Sequence, residues 1–329
     1  MSPIQEATSP TRDAPAPRWK SAVILLVTCG LYVALLLYID RGNGIFMRLA
    51  ELGRPLAVCS ALVLLSFGLR YQRWRMALKA QGFAAIRWAP GLCAYLAGFS
   101  FTVSPGKAGE LLRIRYFGRM AVPPTVVLTT FIYERGLDLV VLTLLGLGAA
   151  WLVPAFVPLA FAVLGFLVLL FLAGRWPPLN ATLYTIASRL PGSRVRRLAH
   201  FLLDGVSQAG PLLRPRVVIP GAAIGTLAWL FTAAAFAYLC HAIGIPLAWS
   251  HALGIYPLAM LAGAASLVPG GVGTTEAAIV LMLGALGAPV EVSLAVAVGI
   301  RLVTLWLAIA VGMVAMAGLE VFGTRGNEY

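Results

Sequence analysis

Eight side chains offer chemistry in this sequence: Lys107, Glu110, Arg113, Glu134, Arg135, Asp138, Glu276 and Arg301. They stand in a chain that is 60% hydrophobic and only 11% charged. A charge at the centre of a membrane helix costs about 2.5–3.5 kcal/mol on insertion scales, so such residues need a partner or a task. Glu134 and Asp138, four apart, share one helix face. Two uses follow. Arg135, or Arg301 from the other half of the chain, could neutralise carboxylates and pin the halves together. Alternatively, Arg113, Arg135 or Arg301 could meet a phosphate in a hydrated cavity, with Glu110, Glu134 or Glu276 opposing it or accepting a proton. Arginine suits phosphate because its planar fork binds through two parallel hydrogen bonds.

Two breaks organise these charges. Pro105-Gly106-x-x-Gly109 and Pro269-Gly270-x-x-Gly273 share one spacing, and each follows a Leu-Ala-Gly step (96–98 and 261–263). Each precedes a glutamate (Glu110; Glu276) and, further on, an arginine inside an apolar run (Arg135; Arg301). A helix-break motif used twice in an apolar chain suggests duplicated halves around a central site. Gly106-Lys107 is not a phosphate loop, because Ala108 replaces the required Ser or Thr. The helix starting after each break offers free N–H groups to an anion, with Thr274 and Thr275 expected to cap the second.

Composition sets the class. A mean hydropathy of +0.89 and repeated long apolar runs describe an all-α, polytopic integral membrane protein. The period-2 alternation of a membrane β-barrel is missing. Cys29, Cys59, Cys93 and Cys240 stand singly without a C-x-x-C pair, and the three histidines lack zinc spacing, so no metal or cofactor is expected.

In chain order, residues 1–19 are expected to be a disordered tail. Spans are expected at Ser21–Tyr38, about Leu56–Leu69, Pro123–Val153, Phe156–Ala173, Val217–Leu239 and Ser293–Leu319. The second is followed by a basic, amphipathic stretch (Arg70, Arg73, Arg75, Lys79, Arg87). Pro90–Val103 is too short to cross and, with the return Glu110–Arg119, forms a re-entrant hairpin. Tyr256–Val268 and Glu276–Leu286 form a second. The basic loop 174–216 is expected to hold a surface-lying helix around 180–213. Trp74, Trp88, Trp151, Trp176 and Trp249 fall near span ends, as an interfacial belt would place them.

Six spans and two hairpins put both termini on one side, and 20 of the 25 Lys and Arg fall there. The positive-inside rule makes that side cytoplasmic. The net charge of +13 is then mainly a topology signal, with anionic lipid as partner and no role for nucleic acid. The same alternation inverts repeat 1 (about 56–153) relative to repeat 2 (about 217–320), with 321–329 a tail.

Ser-Pro-Gly-Lys-Ala-Gly-Glu-Leu-Leu-Arg (104–113), Glu-Arg-Gly-Leu-Asp (134–138), Val-Pro-Gly-Gly-Val-Gly-Thr-Thr-Glu-Ala-Ala (268–278) and Arg301 resemble the flippase-like membrane domain of lysylphosphatidylglycerol synthases. The resemblance covers roughly residues 20–320. It implies movement or handling of an amphipathic lipid with an anionic or polar head, without carrying over which one; an anionic phospholipid or a polyprenyl-phosphate-linked lipid, in a cell inner membrane, is the expectation. Full synthases carry a soluble aminoacyl-transferase domain after this region. The chain stops at Tyr329, so transport without synthesis is the expectation, with an envelope-lipid enzyme as a conceivable partner. Two rivals remain. One is a membrane glycosyltransferase, for which Asp40 and Glu51 lack a D-x-D or E-x-D pairing. The other is a non-transporting scaffold of an envelope-lipid pathway.

Overall fold

The computed structural model describes residues 52–154 and 156–323, with Gly30 alone before them. Apart from Gly30 and residues 321–323, the expected first span and both tails lie outside the described residues, as do Asp40 and Glu51. Twelve α-helices occur within them: α1 Gly53–Ala80, α2 Trp88–Ala97, α3 Arg113–Gly118, α4 Pro124–Gly146, α5 Phe156–Arg175, α6 Pro177–Ser188, α7 Ser193–Ser207, α8 Pro215–Ala242, α9 Trp249–Ala265, α10 Thr274–Ala285, α11 Val290–Arg301 and α12 Leu307–Gly323. Five segments are long and apolar enough to cross a membrane: Gly53–Ala80, Pro124–Leu152, Phe156–Arg175, Pro215–Ala242 and Val290–Val321. They coincide with five of the six expected spans. The protein is a polytopic, all-helical membrane protein, with no strand among the described residues.

Local sequence sets the helix ends. Prolines open α4, α6 and α8, where a missing N–H is harmless. The long helices α1 and α8 end alike. Gly82 and Gly244 take positive φ, and the next residues, Phe83 and Ile245, donate their N–H groups back to Leu78 and Cys240. That left-handed turn absorbs carbonyls that would otherwise end unpaired.

The order span, hairpin, span occurs twice. In the first half α1 leads to α2, short 3-10 turns at Gly98–Phe101 and Pro105–Leu112, then α3 and α4. In the second, α8 leads to α9, a turn at Pro269–Gly271, α10, and then α11 and α12 joined by a π turn at Leu302–Trp306. The halves exchange equivalent contacts. α1 lies along α8, α4 packs on α9, α12 packs on α2, and the two breaks touch. Glycines permit these approaches: Gly254 faces Gly148 and Ala149, and Gly312 faces the backbone of Phe99 and Ser100. Close packing of small residues is how helices associate where lipid is as apolar as leucine.

Three expectations are corrected. The second span does not stop at Leu69: α1 continues to Ala80 and buries Arg70 and Arg73, so only Arg75, Lys79 and Arg87 of the basic stretch reach the surface; Arg113 is buried too. Arg70, Arg73 and Arg113 therefore cannot be counted as loop charges. Trp74 is 1% exposed and packs on Tyr95 and Phe117, whereas Trp88, Trp151, Trp176 and Trp249 are at least half exposed at helix ends. The loop 174–216 holds two helices. α6 and α7 are separated by a turn at Gly192 and joined by a Tyr184–Asp204 hydrogen bond.

A Cβ at Gly312 would lie 2.4 Å from the Ser100 nitrogen, while one at Gly318 on the same helix meets nothing. Gly312→Ala is expected to destabilise by about 1–3 kcal/mol, as overpacking does, and Gly318→Ala to leave stability unchanged or higher. Thermal unfolding in detergent checks this; equal shifts for the two would show that the α12–α2 contact is loose.

Candidate functional site

The site begins on α4, which places Glu134 and Asp138 one turn apart, and on α1, which places Arg70 and Arg73 against them. Arg73 Nη2 bridges the carboxylates, donating to Glu134 Oε1 at 3.2 Å and to Asp138 Oδ1 at 2.8 Å. Arg70 Nη1 donates to Asp138 Oδ2 at 3.4 Å. The second half enters through Trp229 on α8. Its Nε1 donates to Asp138 Oδ1 at 3.0 Å, and its ring takes the Arg70 guanidinium at 4.3 Å. Arg135, the residue between the two carboxylates, reaches Asp138 at 3.0 Å, Glu134 at 3.3 Å and Glu110 at 4.0 Å.

The first hairpin completes this network. Tyr95 on α2 donates its hydroxyl to Glu134 Oε1 at 2.7 Å. Arg113, fully buried at the start of α3, reaches Glu134 Oε2 at 3.2 Å and Glu110 Oε2 at 3.1 Å. Its Nε donates to the Tyr95 carbonyl, and its guanidinium lies 3.9 Å from the Tyr95 ring centroid and 4.9 Å from that of Trp74. Thr102 donates to Glu110 Oε1 at 3.0 Å. Arg73 and Arg113 are buried against carboxylates, and Arg113 also against the aromatic faces of Tyr95 and Trp74. Burial of charge is tolerated here because each partner's hydrogen bonds are shared among several groups.

The second half carries a smaller version. Arg301 Nε donates to Glu276 Oε1 at 2.9 Å, and its Nη2 donates to the Gly270 carbonyl in the break. Arg301 is the last residue before the π turn, a local widening that often marks functional positions.

Between the two breaks lies a cavity of about 80 Å³. Arg70, Lys107, Arg135 and Arg301 line it with a single carboxylate, Glu110. Thr102, Ser66, Thr232 and Thr304 add hydroxyls, and Phe67, Phe99, Trp229, Tyr256 and Met260 close it with apolar surface. Arg135 Nε is buried without a hydrogen-bond partner, and Lys107, held at φ 58°, makes no ion pair among the described residues. A small, partly open, cation-rich space with spare donors can hold one compact anion, and phosphate matches the guanidinium fork.

Of the eight residues expected from sequence, Glu110, Arg113, Glu134, Arg135 and Asp138 form one connected network, and Lys107 and Arg301 meet two of them around the cavity. Glu276 stands behind Arg301. Arg301 therefore pairs within its own half and does not neutralise the first-half carboxylates; Trp229 makes that cross-contact. Two further expectations fail. Thr274 and Thr275 do not cap α10, whose N-cap is Gly273; Thr274 donates to the Gly271 carbonyl and Thr275 is buried. The Gly109 N–H is not free for an anion, because Ser104 Oγ accepts it. Arg70, Arg73, Tyr95 and Trp229 were missed. One signal was present. A span of Leu56–Leu69 is only 14 residues long where about 20 are needed, so α1 had to run on through Arg70 and Arg73.

Residues 20–312 match the family model described as lysylphosphatidylglycerol synthase TM region, and the chain belongs to this family. No curated protein matches it.

Removing Arg73 would take from buried Glu134 and Asp138 the two hydrogen bonds that bridge them. Arg73→Met is expected to lose about 3–5 kcal/mol, the range seen when one partner of a buried pair is removed. Lys107→Gln, which breaks no ion pair, should keep the wild-type folded yield. Size-exclusion profiles and melting temperatures in detergent compare the two; a stable Arg73→Met protein would contradict the structural role.

Proposed function

We propose that this membrane protein of the lysylphosphatidylglycerol synthase TM-region family moves a lipid between leaflets. The lipid is an anionic phospholipid or one linked to a polyprenyl phosphate, and its phosphate sits in the cavity between the hairpin breaks. One observation carries the reading: four cations and one carboxylate line a cavity at the point where both broken hairpins meet. Irregular backbone at membrane depth is tolerated where it lines a cavity, and paired breaks around a central site are a transporter design. In this reading the two span–hairpin–span units are inverted repeats that rock against each other, so the cavity faces one leaflet and then the other. The lipid tails stay in the bilayer. The activity is transport, with no chemical bond made or broken.

Sidedness follows the same logic. The α1–α2 connection, the end of α3, the α6–α7 pair and the approach to α8 lie at one set of helix ends and carry Arg75, Lys79, Arg87, Arg115, Arg119 and the arginines of 175–216. The opposite ends carry Arg54 and Glu291. The positive-inside rule makes the basic side cytoplasmic, in an inner membrane.

Reconstitution in liposomes tests the reading. Head-group-labelled anionic lipid is followed by its protection from an impermeant quencher. Wild-type protein is expected to exchange label between leaflets, and Arg135→Gln or Glu276→Gln, at equal reconstituted amounts, to slow it about tenfold or more, the factor for each 1.4 kcal/mol. Exchange unaffected by both substitutions would remove the cavity from the pathway; none with any anionic lipid would favour a scaffold.

A further inference from the structure

The charges around the cavity do not balance, and the imbalance has a sign and a size. Six buried or half-buried cations converge on it: Arg70, Arg73, Lys107, Arg113, Arg135 and Arg301. They meet four carboxylates: Glu110, Glu134, Asp138 and Glu276. Two positive charges are left over. The excess faces the cavity, because Arg73 and Arg113 do not line it and lie against Glu110, Glu134 and Asp138. Lys107 has no ion pair among the described residues, and Arg135 keeps an unpartnered Nε. Uncompensated charge in a low-dielectric interior is costly, so a ligand that supplies the missing negative charge is strongly favoured over one that supplies half of it.

We infer that the cavity is built for a dianionic phosphoryl group, as in a lipid phosphomonoester, and discriminates against the monoanionic phosphodiester of ordinary phospholipids. A monoester carries about −1.5 to −2 near neutral pH, with a second pKa of about 6, whereas a diester carries one charge. Selectivity should therefore grow as pH rises through that pKa and fade below it. The inference rests on the transport reading only for the lipid as the source of the phosphate.

The test is equilibrium binding, separate from translocation. The full chain in phosphatidylcholine nanodiscs is offered phosphatidate or phosphatidylglycerol with identical chains, or inorganic phosphate, and retention is measured by native mass spectrometry at about pH 7 and about pH 5. Phosphatidate should bind about tenfold tighter than phosphatidylglycerol at the higher pH, with the ratio shrinking at the lower. Lys107→Gln removes one positive charge without breaking an ion pair and should bring the ratio towards one. Equal binding of the two lipids, or a ratio that Lys107→Gln leaves unchanged, overturns the dianion inference while leaving the transport reading standing. Retention of neither lipid overturns both. Inorganic phosphate displacing phosphatidate at comparable concentration keeps the dianion and overturns its lipid source.

Discussion

The structure depends on the arginine–carboxylate network that α1 and α4 bury between them. Arg73 cannot leave Glu134 and Asp138 without exposing charge to an apolar interior, and neither carboxylate can leave it. Helices in lipid gain little from burying apolar side chains against each other, so polar contacts and close packing carry much of the register. The network supplies that register for the first half. Tyr95 and Arg113 dock the broken hairpin onto it, and Trp229 ties the second half to the same Asp138.

In the proposed reading this arrangement separates holding from binding. Arg73 and Arg113 lie against carboxylates away from the cavity, and Arg113 ties the hairpin to Glu134. Arg70, Arg135, Lys107 and Arg301 turn at least part of their donor capacity to the cavity. The same ion pairs can therefore stiffen the protein and set the field in which an anion sits. A gate built from such pairs has two stable arrangements rather than a continuum, because each intermediate leaves a charge unpaired.

The two halves have similar architecture and unlike electrostatics. Each has a break, a glutamate after it and an arginine in the following span, yet the first half carries all but two of the site's charged groups. In the second, Arg301 holds Glu276 and the break's Gly270 carbonyl. The second hairpin is thus tied at its tip by one arginine, and the first is embedded in a network.

By itself the sequence determined what is local. Apolar length, Pro and Gly punctuation and the repeated Pro-Gly-x-x-Gly spacing were enough for membrane class, five described spans, both hairpins and eight charged residues that gather at one place. These follow from bilayer thickness and backbone geometry, which act over a few turns of helix. Only the tertiary structure decided partnership. Arg70 and Arg73 look like loop charges until α4 is placed beside them, Trp74 looks interfacial until the hairpin folds over it, and Trp229 looks like any apolar span residue until its N–H meets Asp138. The physical reason is that a charge is satisfied by distance in space, and residues 65 or 91 positions apart in the chain meet at 2.8 and 3.0 Å.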